Sequence, residues 1–202
     1  MLKKMLYVLS VTLLFAFSNA QAAKYNAAFV AMVKADAERG DVLAQGALGS
    51  CYYFGNCEGI PQDYSKARIW YEKAAAQGRA KAQFNLGIMY AKGEGVPQDY
   101  VKAREWWEKA AAQGFADAQL NLGFMYHEGH GVRQDYVKAQ KWYEKAATQG
   151  VAKAQFNLGV MYYKGQGVPQ NKRTAKEWVG KACDNGYQEG CDRYRELEEA
   201  GI

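Results

Sequence analysis

The sequence predicts an all-α fold, a superhelical solenoid built from four stacked helical hairpins with a capping helix at each end. The first observation is a repeat: the glycines that end the strings QFNLG, QLNLG and QFNLG lie at Gly87, Gly123 and Gly159, a constant step of 36 residues. The second is that apolar residues inside each copy recur with helical spacing. One hairpin cannot bury its apolar face alone, so neighbouring hairpins must stack to form a shared core.

Composition sets the first limits on function. Of the 202 residues, 49% are hydrophobic and 23% are charged, which is typical of a globular protein and argues against disorder. The formal net charge is only +5. This small excess gives no electrostatic case for nucleic acid as a partner.

Residues 1–22 are predicted to be a secretory signal rather than part of the fold. Lys3 and Lys4 supply the positive start, Leu6–Phe17 supplies an apolar stretch, and Ala20-Gln21-Ala22 supplies a cleavage site. The apolar stretch is shorter than the roughly 20 residues that span a bilayer. We therefore expect cleavage, no stable membrane anchor, and a periplasmic or secreted protein in which disulfides persist.

Each repeat is predicted to begin with a helix like that at Ala80–Lys92. Gly93 and Gly95 interrupt the helical pattern, and Pro97 lies in the turn that follows. The buried face is marked by apolar residues at positions i, i+4, i+7 and i+8, which are Ala82, Leu86, Met89 and Tyr90.

The second helix of each repeat starts after a capping side chain and stops at a glycine. In the second copy Asp99 is the predicted cap and Gly114 the stop. The equivalent caps are Asp63, Asp135 and Asn171. The apolar face of this helix holds Tyr100, Ala103, Trp107, Ala110 and Ala111.

The repeats divide the chain into segments. Four units occupy residues 41–186, with predicted boundaries at 41–78, 79–114, 115–150 and 151–186. Residues 23–40 and 187–202 each align with half a unit and are predicted to be capping helices. The first unit departs from the others, because it is two residues longer and carries Ala47 where they carry asparagine.

The repeated string A-x-A-Q-x-N-L-G-x-M-Y-x-x-G-x-G-V-P-Q-D-Y-x-K-A-x-x-W-x-x-K-A-A-x-Q-G resembles the Sel-1-like repeat, a branch of the tetratricopeptide superfamily. The chain is most similar to secreted bacterial members. The resemblance implies a right-handed α/α solenoid that serves as an adaptor for proteins or peptides, in envelope signalling or host contact.

Four cysteines allow three pairings. Cys183 aligns late in a second helix and Cys191 early in the next helix, a spacing similar to that of the cysteine-rich secreted branch of the family. Cys51 and Cys57 enclose the insertion of the first unit. We expect the pairs Cys51–Cys57 and Cys183–Cys191, with free core thiols and metal binding as the alternatives.

Other candidate chemistry is weak, and no catalytic residue, cofactor or metal is expected. The string His127-Glu128-Gly129-His130 lacks the spacing of a metalloprotease helix and is interpreted as a loop. Ser65 is not followed by the lysine of a Ser-x-x-Lys motif, and no glycine-rich phosphate loop occurs. The repeated tryptophans are expected in the core, at Trp70, Trp106, Trp142 and Trp178.

A partner-binding stripe is expected on the first helices, on the side away from the core. In tetratricopeptide solenoids this stripe lines the concave groove. The candidate residues are Lys81, Phe84, Asn85, Ile88 and Lys92, then Asp117, Asn121, Phe124, His127 and Glu128, then Lys153, Asn157, Val160 and Lys164. The three asparagines could bond an extended peptide, as the similar residue does in tetratricopeptide units, or a neighbouring helix carbonyl.

The sequence thus predicts a non-enzymatic scaffold that binds a protein or peptide of unknown identity. The alternating charges of the stripe, Lys81, Asp117, Lys153 and Lys92, Glu128, Lys164, favour a ligand of acidic–basic–acidic order. The alternative is an ordinary mixed surface. The second functional hypothesis, based on the cysteine-rich branch alone, is a protein that binds β-lactams or hydrolyses them weakly.

Overall fold

The computed structural model describes residues 27–202, so the predicted signal at 1–22 lies outside the described residues. Within that range the chain forms ten α-helices and no strand beyond an isolated bridge between Cys57 and Ile60. The helices are α1 (Ala27–Glu38), α2 (Val42–Phe54), α3 (Tyr64–Ala76), α4 (Ala80–Lys92), α5 (Tyr100–Ala112), α6 (Ala116–Glu128), α7 (Tyr136–Thr148), α8 (Ala152–Lys164), α9 (Lys172–Asp184) and α10 (Gln188–Glu199).

The helices pack in chain order, each against the one before and the one after it. Helices α2 and α3 form the first hairpin, and three further hairpins follow, ending with α8 and α9. The buried residues fall into four successive clusters rather than one central core. This is the all-α repeat solenoid that the sequence predicts.

Local sequence sets the helix ends. The carboxylate of Asp99 accepts a hydrogen bond from the Lys102 backbone N–H and caps α5, as the aligned residues Asp63, Asp135 and Asn171 do for α3, α7 and α9. Helix α4 ends at Gly93, whose φ of 74° is left-handed and therefore suits glycine. The predicted caps are confirmed at all four second helices.

Each hairpin closes through a glycine in the middle of its first helix. A Cβ added to Gly87 would lie 2.3 Å from Nε1 of Trp107. The same contact recurs in the other units between Gly49 and Tyr71, Gly123 and Tyr143, and Gly159 and Val179. The glycine of the NLG string is therefore required by close packing of the two helices, since any side chain would overlap the large residue opposite.

Buried glutamines form a hydrogen-bonded ladder through the stack. Gln83 in α4 donates to the carbonyl of Ala75 at the end of the preceding unit, at 3.4 Å, and accepts a bond of 2.8 Å from Gln113 at the end of its own unit. Gln45, Gln119 and Gln155 repeat both bonds. Among residues 27–202 these four are the only buried side chains that carry an amide or a charge.

Two disulfides close the ends of the stack, and their pairing is the expected one. Cys51 in the last turn of α2 is joined to Cys57, which with Ile60 is buried beneath the insertion of the first unit. Cys183 in α9 is joined to Cys191 in α10, across the turn between these helices. No helix in the described range is long and apolar enough to cross a membrane.

The repeated tryptophans differ from the sequence expectation, because they are half-buried rather than core residues. The lysine three residues later, on the next turn of the helix, lies over each indole ring. The nitrogen-to-ring distances are 4.2 Å at Trp70, 4.1 Å at Trp106, 4.2 Å at Trp142 and 4.2 Å at Trp178. These cation–π contacts occupy a ring face that stacking on a nucleobase would need.

Candidate peptide-binding face

The predicted stripe lies on α4, α6 and α8, and we call its fourteen candidate residues the first-helix face. None of them belongs to the buried core. Five are well exposed, namely Lys92, Asp117, Glu128, Lys153 and Lys164, and Phe124 is 47% exposed. The remaining eight are half-buried, because neighbouring units pack against their sides.

On α4 the apolar members of this face support the junction with the next unit. Phe84 packs against the ring of Phe115, with ring centroids 5.1 Å apart, and Ile88 lies against the same cluster. The carbonyl of Phe84 also accepts a 3.1 Å hydrogen bond from Nε1 of Trp107. These two residues therefore have structural roles and leave little side-chain surface for a ligand.

Two of the three asparagines have a partner that the sequence did not indicate. Asn85 hydrogen-bonds to the hydroxyl of Tyr71, and Asn157 to that of Tyr143, in each case a tyrosine of the preceding unit. The Tyr71 hydroxyl in turn donates to Oγ of Ser50 at 3.1 Å. The tyrosine hydroxyl is thus a partner beyond the two alternatives that the sequence offered, a peptide or a helix carbonyl.

Asn121 differs because its neighbour at the equivalent position is Trp107 rather than a tyrosine. The indole N–H of Trp107 is directed to the carbonyl of Phe84, within its own hairpin. Among the residues that the structure describes, Asn121 has no side-chain hydrogen-bond partner, although it is only half-buried. Its amide is therefore available to a ligand.

An aromatic group lies near this asparagine, one turn along α6. The ring of Phe124 contacts the edge of His130, with centroids 5.5 Å apart, and His130 stacks on Tyr100 of the preceding unit at 5.3 Å. The sequence predicts a loop from His127 to His130. Helix α6 extends through His127 and Glu128, so only Gly129 and His130 lie in the loop. The middle of the first-helix face thus combines an exposed ring with a free amide.

The charges of the face are partly paired inside the protein. Lys81 is partly desolvated, which together with Arg79 lowers its pKa, and the carboxylate of Asp117 in the next unit opposes that change. Lys92 lies 3.6 Å from Glu94, and Glu128 lies 2.7 Å from the ring of His127.

In the last unit the charges have no such compensation. Lys153 and Lys164 are exposed and have no ion-pair partner among residues 27–202. Tyr163 lies between these lysines in the helix, and its ring is approached by Lys172 and Arg193 at 6.0 and 5.8 Å. The face therefore ends in a positive surface.

Groups of His, Cys, Asp and Glu that could hold a metal do not occur in the described range.

A second polar cluster, which sequence reasoning missed, lies at the junction of the first two units. The hydroxyl of Tyr53 donates a 2.5 Å hydrogen bond to the carboxylate of Glu94. Burial, together with this carboxylate, raises the pKa of Tyr53 well above its usual value. Tyr53 stands where the other units carry Ala91, His127 and Tyr163, so comparison of the copies could have found it.

Comparison with known proteins agrees with this architecture. A family model described as Sel1 repeat matches the chain four times, over residues 42–78, 80–115, 116–151 and 152–187. No curated protein gives a match.

Solved structures give the same result. A protective antigen of uropathogenic Escherichia coli that displays an SLR fold is 39% identical, with a TM-score of 0.82 over 86% of this chain and 37% of that chain. A Sel1 repeat protein of Oxalobacter formigenes is 36% identical, with a TM-score of 0.75 over 83% of this chain and 48% of that one.

Cysteine rich protein B of Helicobacter pylori is 26% identical, with a TM-score of 0.53 over 65% of this chain and 94% of that chain. The chain thus spans less than half the length of the first two relatives and most of the length of the third. With four matches to the family model that together cover most of its length, the chain belongs to the Sel1 repeat family.

Proposed function

We propose that this chain is a non-enzymatic scaffold that binds a protein or an extended peptide along the first-helix face. Sel1 repeat proteins generally mediate protein interactions. The proposal rests on two neighbouring residues, one turn apart on α6: Asn121 has a free side-chain amide, and Phe124 has an exposed ring. An amide can bond a peptide backbone while a ring receives an apolar side chain, as in other grooves that bind extended peptides.

The charges of the face refine the expected ligand. Lys153 and Lys164 favour acidic residues at the end of the ligand that lies on α8. Asp117 and Glu128 favour a basic residue over α6, although each already interacts with a neighbouring cation or imidazole. The ligand is therefore an acidic–basic–acidic segment that carries an apolar side chain near its basic part.

We also propose that the protein works in the periplasm or outside the cell. Two disulfides fit an oxidising compartment, and residues 1–22 have the pattern of a cleaved secretory signal. In that location the chain presents a rigid surface without bond chemistry. Purified protein should therefore leave a chromogenic β-lactam unhydrolysed over a prolonged time course.

The binding proposal is tested first by identifying a partner and then by variants. Crosslinking in intact cells supplies captured proteins, from which peptides are synthesised and titrated against the purified chain. Asn121→Ala removes the proposed hydrogen bond between the Asn121 amide and the peptide backbone of the ligand, which is worth about 1 kcal/mol. Asp117→Lys combined with Glu128→Lys places like charges against the basic part of the ligand and should weaken binding at least tenfold, equivalent to about 1.4 kcal/mol.

A matched control replaces charges outside the face. Lys73 and Lys109 lie over tryptophan rings on second helices, so Lys73→Glu with Lys109→Glu reverses two charges away from the face. The control should bind as the parent does. If a folded Asp117→Lys, Glu128→Lys variant with an unchanged unfolding midpoint binds the captured partner as tightly as the parent, the groove assignment is wrong.

A further inference from the structure

A cleft of about 590 Å³ opens where the second and third units meet. It is bordered by Arg104 of α5, Tyr126 of α6, Lys138 of α7 and the loop that holds Arg133 and Asp135. None of these residues belongs to the first-helix face. Its volume lies within the range of clefts that hold small molecules, roughly 300–1,000 Å³.

The cleft carries three cationic side chains and one carboxylate, so it is positive overall. Asp135 is already engaged, since it caps α7 and lies 3.7 Å from Lys138. Arg133 is exposed and has no side-chain partner among the described residues. Arg104 pairs only at 3.7 Å with Glu108, and its buried Nε has no hydrogen-bond partner there.

One cleft residue, Arg133, departs from the repeat. Arg133 stands where the other three units carry proline, in the string GVRQDY against IPQDY and GVPQ. At the junction of the first two units the equivalent arginine, Arg68, pairs more closely with Glu72, at 2.7 Å, although its buried Nε also has no hydrogen-bond partner among the described residues. Packing of the repeat therefore does not require Arg133, because the other three loops form with proline at this position.

We propose that this cleft binds a phosphomonoester, either a free phosphorylated sugar or the headgroup of a phosphomonoester lipid. Guanidinium groups match phosphate oxygens in a bidentate geometry, and the partly paired Arg104 and the free Arg133 have donors to offer. Lys138, whose nitrogen lies 5.2 Å from the ring of the buried Tyr126, adds a third cation beside the two guanidinium groups. The site goes beyond the proposed peptide-binding function and does not depend on it.

The probes are glucose 6-phosphate, glucose and glucuronate, each titrated into the full chain while backbone NMR resonances are followed. We expect saturable shifts at Gly131 and Val132 with glucose 6-phosphate, weakening as salt is raised. Glucose and glucuronate should give much smaller shifts. A second arm uses phosphatidylcholine vesicles with and without phosphatidic acid, and separates a lipid headgroup from a soluble ligand as the source of the phosphate.

The repeats themselves supply variants that should fold. Arg133→Pro introduces the residue of the other loops, and Arg104→Gln introduces the residue that the next unit carries as Gln140. Together they should weaken binding of glucose 6-phosphate at least tenfold. The control Lys73→Gln with Lys181→Gln also removes two positive charges, away from the cleft, and should leave this binding unchanged. Parent-like binding by the double variant, equal binding of glucuronate, or no binding of either phosphomonoester probe would each overturn the proposal.

Discussion

Gln113, the residue that directly follows α5, donates a 2.8 Å hydrogen bond to the buried side chain of Gln83. Gln83 itself donates to the carbonyl of Ala75, which belongs to the preceding unit. One buried amide thus joins three helices, α3, α4 and α5. Because the same arrangement recurs in every unit, the ladder fixes how each hairpin is seated on the one before it.

The first prediction concerns this amide. Gln83→Leu keeps the volume but leaves the Ala75 carbonyl without its side-chain donor, so the free energy of unfolding should fall by about 1–3 kcal/mol. Chemical denaturation followed by circular dichroism measures the change. Gln113→Ala is the control, because Gln113 is exposed and its substitution removes only one hydrogen bond. This variant should therefore lose less stability than Gln83→Leu. Equal stability of Gln83→Leu and the parent would contradict a structural role for the ladder.

The fold could be predicted from the sequence because its signals are local and repeated. Helical spacing, caps such as Asp99 and stops such as Gly93 act within a few residues, and four copies make each signal visible several times. The glutamines are equally regular, yet their role was not predicted. Their partners lie on separate helices, and a buried polar side chain cannot be told from an exposed one by pattern alone.

The candidate face was harder to predict because its side chains interact across units. The sequence placed Asn85, Asn121 and Asn157 in one ladder, but the residue of the preceding unit decides whether each amide is free. That residue is a tyrosine in two cases and Trp107 in the third. A helical wheel describes one helix at a time, so it cannot show this difference.

The second prediction follows from the buried tyrosines. Burial raises the pKa of Tyr71 from 10.0 to about 12, although its hydrogen bonds with Ser50 and Asn85 oppose the change. The unfolded chain therefore loses this proton at lower pH than the folded chain. The folded state binds more protons between about pH 10 and 12, so stability is complete below pH 10 and declines across that interval.

Denaturation at a series of alkaline pH values tests this slope. Tyr71→Phe removes one of the tyrosines whose pKa is raised, so the decline should become shallower. The lost bond to Ser50 costs about 1 kcal/mol at neutral pH. Tyr64→Phe serves as a control, because it also removes a tyrosine hydroxyl but from a side chain that is less buried. A slope that is the same in Tyr71→Phe as in the parent would show that this tyrosine does not govern alkaline stability.

The third prediction concerns the four cysteines. Alkylation without reductant, followed by intact-mass measurement, should find no modified thiol, since all four cysteines are paired. Four alkyl groups would refute this pairing. Cys183→Ser with Cys191→Ser should lower stability by about 2–3 kcal/mol, the chain-entropy value for a short loop.

The fourth prediction concerns the last helix as a lid on the stack. Deleting residues 187–202 removes α10, which buries Leu197 and packs against α9. The deletion exposes the apolar side of α9 to water, which should lower both the unfolding midpoint and the solubility. The double serine variant is the matched control, because it loses the disulfide and keeps the helix. If deletion lowers the midpoint no further than this control does, the helix is dispensable as a lid.

The fifth prediction concerns Trp107, which stands where the first and third units carry a tyrosine. Trp107→Tyr gives the second unit the residue that the first and third units hold at Tyr71 and Tyr143. The space opposite Gly87 suits either ring, since Gly49 and Gly123 accommodate tyrosine at equivalent distances. The new hydroxyl should hydrogen-bond to Asn121, as the other tyrosines do to their asparagines.

Two measurements follow from that bond. Alkaline spectrophotometric titration should show one more tyrosine with a raised pKa, because burial raises the pKa of Tyr71 and Tyr143 at the same position. The same substitution should weaken partner binding about as much as Asn121→Ala does, since the amide is no longer free to bond a ligand. Trp107→Phe lacks the hydroxyl and is the matched control. If the tyrosine and phenylalanine variants bind the partner equally well, the Asn121 amide does not contact the ligand.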